Sequence, residues 1–92
     1  MRNEKNVLTP KDRRVYEIQW EKVRLTGFAP TIREIALRYG TASHSHILAS
    51  LKRLVKAGLV HKDALTREGI YNPLKDPSKV DWESLIDGKE AG

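Results

Sequence analysis

The sequence predicts a mainly α domain, in which three helices are closed by a two-stranded β-wing and followed by a short C-terminal tail helix. This is the winged helix-turn-helix arrangement, and three observations predict it. Apolar residues recur at helical spacing in three successive segments, each with its own cap and glycine stop. The second and third segments are separated only by a tight turn that follows Gly40. Beyond Gly58 the pattern changes to that of short strands.

Residues 1–8 read as a polar, flexible lead-in. Thr9-Pro10-Lys11-Asp12 is a helix start, with a hydroxyl cap, proline in the first turn and an acid beside it. The first helix runs from about Pro10 to Leu25, with Val15, Ile18 and Val23 inward, and stops at Thr26-Gly27. Phe28-Ala29-Pro30 is extended, because the residue before proline avoids the helical region. Thr31-Ile32-Arg33-Glu34 is a capping box, opening a helix over Ile32–Tyr39 that buries Ile32, Ile35, Ala36 and Tyr39. Ser43 caps a third helix, from about His44 to Ala57. Leu59–Lys62 and Gly69–Asn72 are the wing strands. Residues 9–72 thus form the domain, and 73–92 a linker and an acidic amphipathic tail helix with Trp82, Leu85 and Ile86 at helical spacing.

Charge narrows the function. The chain carries 17 Lys+Arg against 12 Asp+Glu. The excess is concentrated in residues 1–72, with 14 basic and 7 acidic side chains. No acid occurs between Glu34 and Asp63, a stretch containing Arg38, Lys52, Arg53, Lys56, Lys62 and all three histidines. Such a stretch points to a polyanionic partner. With no cysteine, thiolate metal sites and cysteine nucleophiles are excluded. A core this small leaves little room for a catalytic pocket, and no cofactor is expected. His44-x-His46 lacks further ligands for a metal, and Ser43 and Ser45 lack an orienting acid for nucleophilic chemistry.

On the third helix, Ile47, Leu51, Leu54 and Val55 form one apolar stripe. Ser45, Ala49, Lys52, Arg53 and Lys56 fall opposite, with His46 at the edge. That face is small and polar near its amino end and basic near its carboxyl end, which suits a helix lying in a DNA major groove.

The sequence resembles the DNA-binding domain of the LexA repressor family. The residues that carry the likeness are Leu8-Thr9, Thr26-Gly27, Pro30-Thr31, Glu34-Ile35-Ala36, Gly40, Ala42-Ser43, Leu51, Leu54 and Gly58. The resemblance implies base reading from Ser43, Ser45, His46, Leu48 and Ala49. Leu48 and Ala49 replace polar or charged residues often found there, and His46 replaces a smaller one, so a different operator is expected. Phosphate contacts are expected from Thr31 at the capped start of the second helix, and from Arg33, Arg38, His44, Lys52, Arg53, Lys56 and Arg67. The chain ends about where the family's linker to a self-cleaving protease domain begins, so a stand-alone form without self-cleavage is expected. The partners expected are double-stranded DNA and a second copy on a palindromic operator, in the bacterial or phage-infected cytoplasm.

A rival reading makes the domain a protein-interaction module that acts on a host repressor or RNA polymerase. Trp20, Leu48 and the Trp82 helix favour it, since DNA binding does not require apolar groups there. Trp20 reads either as a partly buried ring covering a helix edge or as the receiver of Trp82, Leu85 and Ile86, within one chain or between two.

Overall fold

The computed structural model describes residues 8–63 and 70–86. Its elements are α1 (Pro10–Thr26), α2 (Ile32–Tyr39), α3 (His44–Lys56), β1 (Val60–Asp63), β2 (Ile70–Pro73), a 3-10 turn (Pro77–Lys79) and α4 (Trp82–Leu85). This is the predicted winged helix-turn-helix. The helix ends differ from expectation by one residue, and both strands sit one residue later.

Local chemistry accounts for the boundaries. Thr9 and Asp12 form a reciprocal capping box, in which the Thr9 N–H donates to Asp12 Oδ2 at 3.0 Å and the Asp12 N–H donates to Thr9 Oγ1 at 3.3 Å. Thr31 and Glu34 repeat the device at α2, at 2.9 and 3.1 Å. Gly40 ends α2 with φ of 91°, a left-handed conformation that lets the chain turn directly into α3. The wing is antiparallel and pairs Val60 with Pro73, His61 with Asn72, Lys62 with Tyr71 and Asp63 with Ile70.

The core gathers Val15, Tyr16 and Ile18 of α1, Ile35 and Ala36 of α2, and Ile47, Leu51 and Leu54 of α3. Leu59, Val60, Tyr71 and Trp82 close it. Four expected core positions differ, Ile32 and Tyr39 being only half-buried against the core. Val23 is half-buried, and Val55 is exposed while Ser50 on the other flank of the stripe is buried. The buried stripe of α3 is therefore rotated toward Ser50, because α1 packs on that side.

The tail differs most. Leu8, expected in the lead-in, is buried; its N–H donates to the Leu85 carbonyl at 3.2 Å, and it bridges Ile86 in parallel. Trp82 does not pack its ring on Trp20 as expected. It meets Tyr16 edge-on, with centroids 5.4 Å apart at 67°, while Arg13 lies 5.5 Å over the ring. The indole N–H donates to the Pro77 carbonyl at 3.0 Å. The Tyr16 hydroxyl donates to the Lys75 carbonyl at 2.7 Å and accepts the Lys75 N–H at 3.0 Å, so the segment before the 3-10 turn is tied to α1 as well. Trp20 itself is half-buried. The tail helix ends at Leu85, and Ile86, expected at helical spacing, is extended instead. No helix among the described residues is long and apolar enough to cross a membrane.

Candidate nucleic-acid interface

α3 is held by its apolar stripe, so its opposite face is fixed outward. His44, Ser45, His46, Ala49, Lys52 and Lys56 are all exposed. Ser43 is the cap: its Oγ accepts the His46 N–H at 3.4 Å and lies 3.2 Å from Ser45 Oγ. Leu48, expected against base edges, is half-buried and packs on the core beside the stripe. The described part of the tail docks on Leu8, Arg13 and Tyr16, and no described residue of it covers the exposed outer face of α3.

The expected phosphate ligands differ in their surroundings. Arg33, Lys52 and Lys56 are exposed, and among the described residues they make no ion pair. Arg38 of α2 donates to Glu21 Oε1 of α1 at 3.2 Å. Such an exposed pair is weak and opens readily. Arg67 lies outside the described residues. At Thr31, the capped start of α2 already holds a carboxylate. Glu34 accepts the Thr31 N–H, and Lys22 pairs with the same side chain at 3.2 Å. The hydrogen bond from Thr31 and the nearby Lys22 keep Glu34 below the usual carboxylate range.

Arg53 differs from the freely solvated cation the sequence implies. Its Nε and Nη2 donate to Asp12 Oδ2 and Oδ1 at 2.8 and 2.9 Å, a bidentate pair between α3 and the first turn of α1. Asp12 is 0% exposed, whereas the Arg53 side chain keeps 39% of its surface. Burial pushes the Asp12 carboxyl up, but hydrogen bonds from Arg53, Ser50 and Thr9, with the Arg53 charge, outweigh it and hold the group below its ordinary value. The hydrogen bond to Asp12 correspondingly raises Arg53, against its partial desolvation. Sequence reasoning missed Asp12, because an acid in the first turn of a helix already explains itself there. It also missed Ser50, whose serine at the edge of an apolar stripe was the available signal.

Lys11, Tyr39, Thr41, His46 and Arg53 line a cleft of about 190 Å³ between the start of α1, the end of α2 and α3. A second groove, about 240 Å³, lies between α1 and α2, with Ile18, Leu25, Pro30 and Leu37 among its walls.

Comparison with known proteins bears on what these surfaces meet. The model of a family described as the LexA DNA binding domain matches residues 5–67. The LexA repressor of Pelotomaculum thermopropionicum is 37% identical over 71 residues, covering 77% of this chain and 34% of that protein. That of Clostridium acetobutylicum is 35% identical over 73 residues, covering 79% and 34%. That of Exiguobacterium sibiricum is 35% identical over 65 residues, covering 71% and 31%. The chain thus spans about a third of the length of these curated relatives.

Proposed function

The chain belongs to the LexA DNA-binding domain family, and from that premise we propose that it binds double-stranded DNA sequence-specifically and acts as a transcriptional repressor. α3 enters the major groove. Ser45, His46 and Ala49 meet base edges there, and the Ser43 hydroxyl lies at the groove's edge. Arg33, Lys52 and Lys56 neutralise phosphates, joined by His44, by Arg38 once its pair with Glu21 opens, and by Arg67 of the wing. The Thr31 hydroxyl supplies its hydrogen to a phosphate near the start of α2. A single recognition helix reads a half-site, so two copies bind a palindrome with half-sites one helical turn or a multiple apart. The observation that supports this reading most is the exposed outer face of α3, small near its start and basic toward its end.

Selection from a random duplex pool tests it. A palindromic site is enriched, and about five phosphate contacts per copy give a slope of log K against log salt of roughly −4 to −5 for each copy bound. Lys52→Glu combined with Lys56→Glu abolishes binding while leaving the melting temperature close to that of the parent, since both side chains are exposed. No enriched site, or a slope near zero, overturns the reading. Arg53→Glu is unsuitable here, because it would set two carboxylates together at Asp12.

The protein-interaction reading has one specific observation in its favour. Leu25, Phe28 and Leu37 are 66%, 75% and 80% exposed at and beside the α1–α2 groove. A partner bound there is retained by the Lys52→Glu, Lys56→Glu variant.

A further inference from the structure

The flank of α3 that turns toward α1 is built differently from the rest of its outer face. Lys52 and Lys56 are solvated and free to rotate, whereas Arg53 is immobilised. Its Nε and Nη2 are spent on Asp12, and Nη2 also lies 3.4 Å from Ser50 Oγ. A guanidinium has five N–H donors. The two on Nη1 have no partner among the described residues, on a side chain that lines the cleft with Lys11, Tyr39, Thr41 and His46. Among the described residues no carboxylate lines that cleft, because Asp12 sits wholly buried behind Arg53.

We infer that this cleft seats a backbone phosphate of the duplex, held by Arg53 Nη1 and by Lys11, and that Asp12 is the positioning residue that presents Arg53 to it. The inference rests on the DNA-binding reading above and adds to it a ligand, Lys11, from outside the recognition helix. The two cations have different tasks. Asp12 cancels most of the Arg53 charge at long range, so the pair contributes directed donors but little counterion release. Lys11 is exposed and, among the described residues, makes no ion pair, so it supplies the net charge. An arginine already ordered in the folded protein also surrenders no side-chain freedom on binding, whereas a solvated lysine does. Tyr39 and Thr41 bring hydroxyl groups to the same cleft.

Lys11→Gln and Arg53→Lys separate these tasks on the whole chain, with duplex affinity measured across a salt series. Lys11→Gln makes the salt slope shallower by about 0.9, the loss of one phosphate neutralised. Arg53→Lys keeps the charge and a bond to Asp12 but has no Nη1. It lowers affinity about tenfold, the share of one charge-assisted hydrogen bond, with the slope unchanged. A residue that served only to hold the fold would shift the melting temperature and neither of these quantities. If the parent chain binds duplex with the expected slope and Lys11→Gln retains that slope, the phosphate seat is refuted and DNA binding stands. If the parent chain binds no duplex, both fail. Inorganic phosphate titrated against backbone amide resonances distinguishes the source of the anion. Shifts at Lys11 and Thr41, combined with an unchanged slope in Lys11→Gln, would mark a free-anion site and overturn the proposal.

Discussion

Replacing Arg53 with methionine, which roughly keeps the side chain's bulk, leaves the Asp12 carboxylate with no counter-charge. Asp12 is 0% exposed and the Arg53 side chain 39%, so the two halves of the pair are not equivalent. Removing Arg53 strands an anion that water does not reach. Removing Asp12 strands a cation that can rehydrate. Loss of one partner from a buried pair costs about 3–5 kcal/mol, and half-exposure of the other group reduces the figure. Arg53→Met is therefore expected to cost about 3 kcal/mol and Asp12→Asn about 1–2 kcal/mol, the latter retaining an acceptor for the Thr9 N–H. Against roughly 5–14 kcal/mol for a domain of this size, the first is a large fraction. pH provides an internal control. In the parent chain the Asp12 pKa is depressed, so its contribution is present above the unfolded value of 3.8 and lost as pH falls through the lower folded value. In Arg53→Met burial, the largest influence on Asp12, is opposed only by the hydrogen bonds from Ser50 and Thr9, so the pKa rises relative to the parent. Protonation then relieves the stranded charge, and the stability gap between variant and parent narrows toward acid. Urea denaturation followed by far-ultraviolet circular dichroism, from pH 7 down to pH 4, reads both effects. A cost for Arg53→Met below about 1 kcal/mol at pH 7, or a gap that does not narrow with acid, refutes the reasoning.

Two further perturbations probe the tail. Trp82→Ala removes a ring that is 7% exposed, together with its edge contact to Tyr16, and is expected to cost about 3–4 kcal/mol in the same urea assay. A cost near zero would mean that the tail does not close the core in solution. Tyr16→Phe deletes the hydroxyl that both donates to and accepts from Lys75, at an expected cost of about 1–3 kcal/mol. Burial raises the Tyr16 pKa above its usual 10.0, with the nearby Asp76 charge acting the same way. The stability it contributes is thus present below pH 10.0 and lost as pH rises through the folded value. Alkaline unfolding that starts at the same pH in Tyr16→Phe as in the parent would contradict this.

Elements whose signals are local were legible in the sequence. The box Thr31–Glu34, the caps Thr9 and Ser43, and the stops at Gly27, Gly40 and Gly58 each depend on neighbours within a turn, and each predicted its boundary to within one residue. Helical periodicity also selected Ile47, Leu51 and Leu54 correctly. It gave the buried face of α3 only approximately, so it included Val55 and passed over Ser50. The angular centre of a stripe depends on which neighbour packs closest, and that neighbour is α1. The Asp12–Arg53 pair spans 41 residues and is set by how α1 crosses α3, which no short-range pattern encodes. The tail failed for a related reason. Its apolar spacing was visible, but a one-turn helix presents too short a face to specify its receiver, and Tyr16 stands outside both the apolar stripe and the charged patch that the sequence pattern defines. The candidate site was legible as a face and a charge, while the state of each cation depended on acids supplied from other elements.

The first turns of α1 connect nearly every part of the domain. Leu8 bonds the tail at Leu85, Asp12 bonds α3 at Arg53, Arg13 lies on Trp82, and Tyr16 bonds Lys75; Gln19 donates to the Tyr71 carbonyl of β2 at 3.0 Å. Apolar contacts alone would permit α3 to roll about its axis, since Ile47, Leu51 and Leu54 present similar surfaces over a range of angles. A bidentate pair tolerates little rotation, because both oxygens must meet both nitrogens in one plane. The energy of folding does not require charges at that place, where an apolar pair of equal volume serves as well. What the charges add is direction. They fix the azimuth of α3, and with it which side chains face outward.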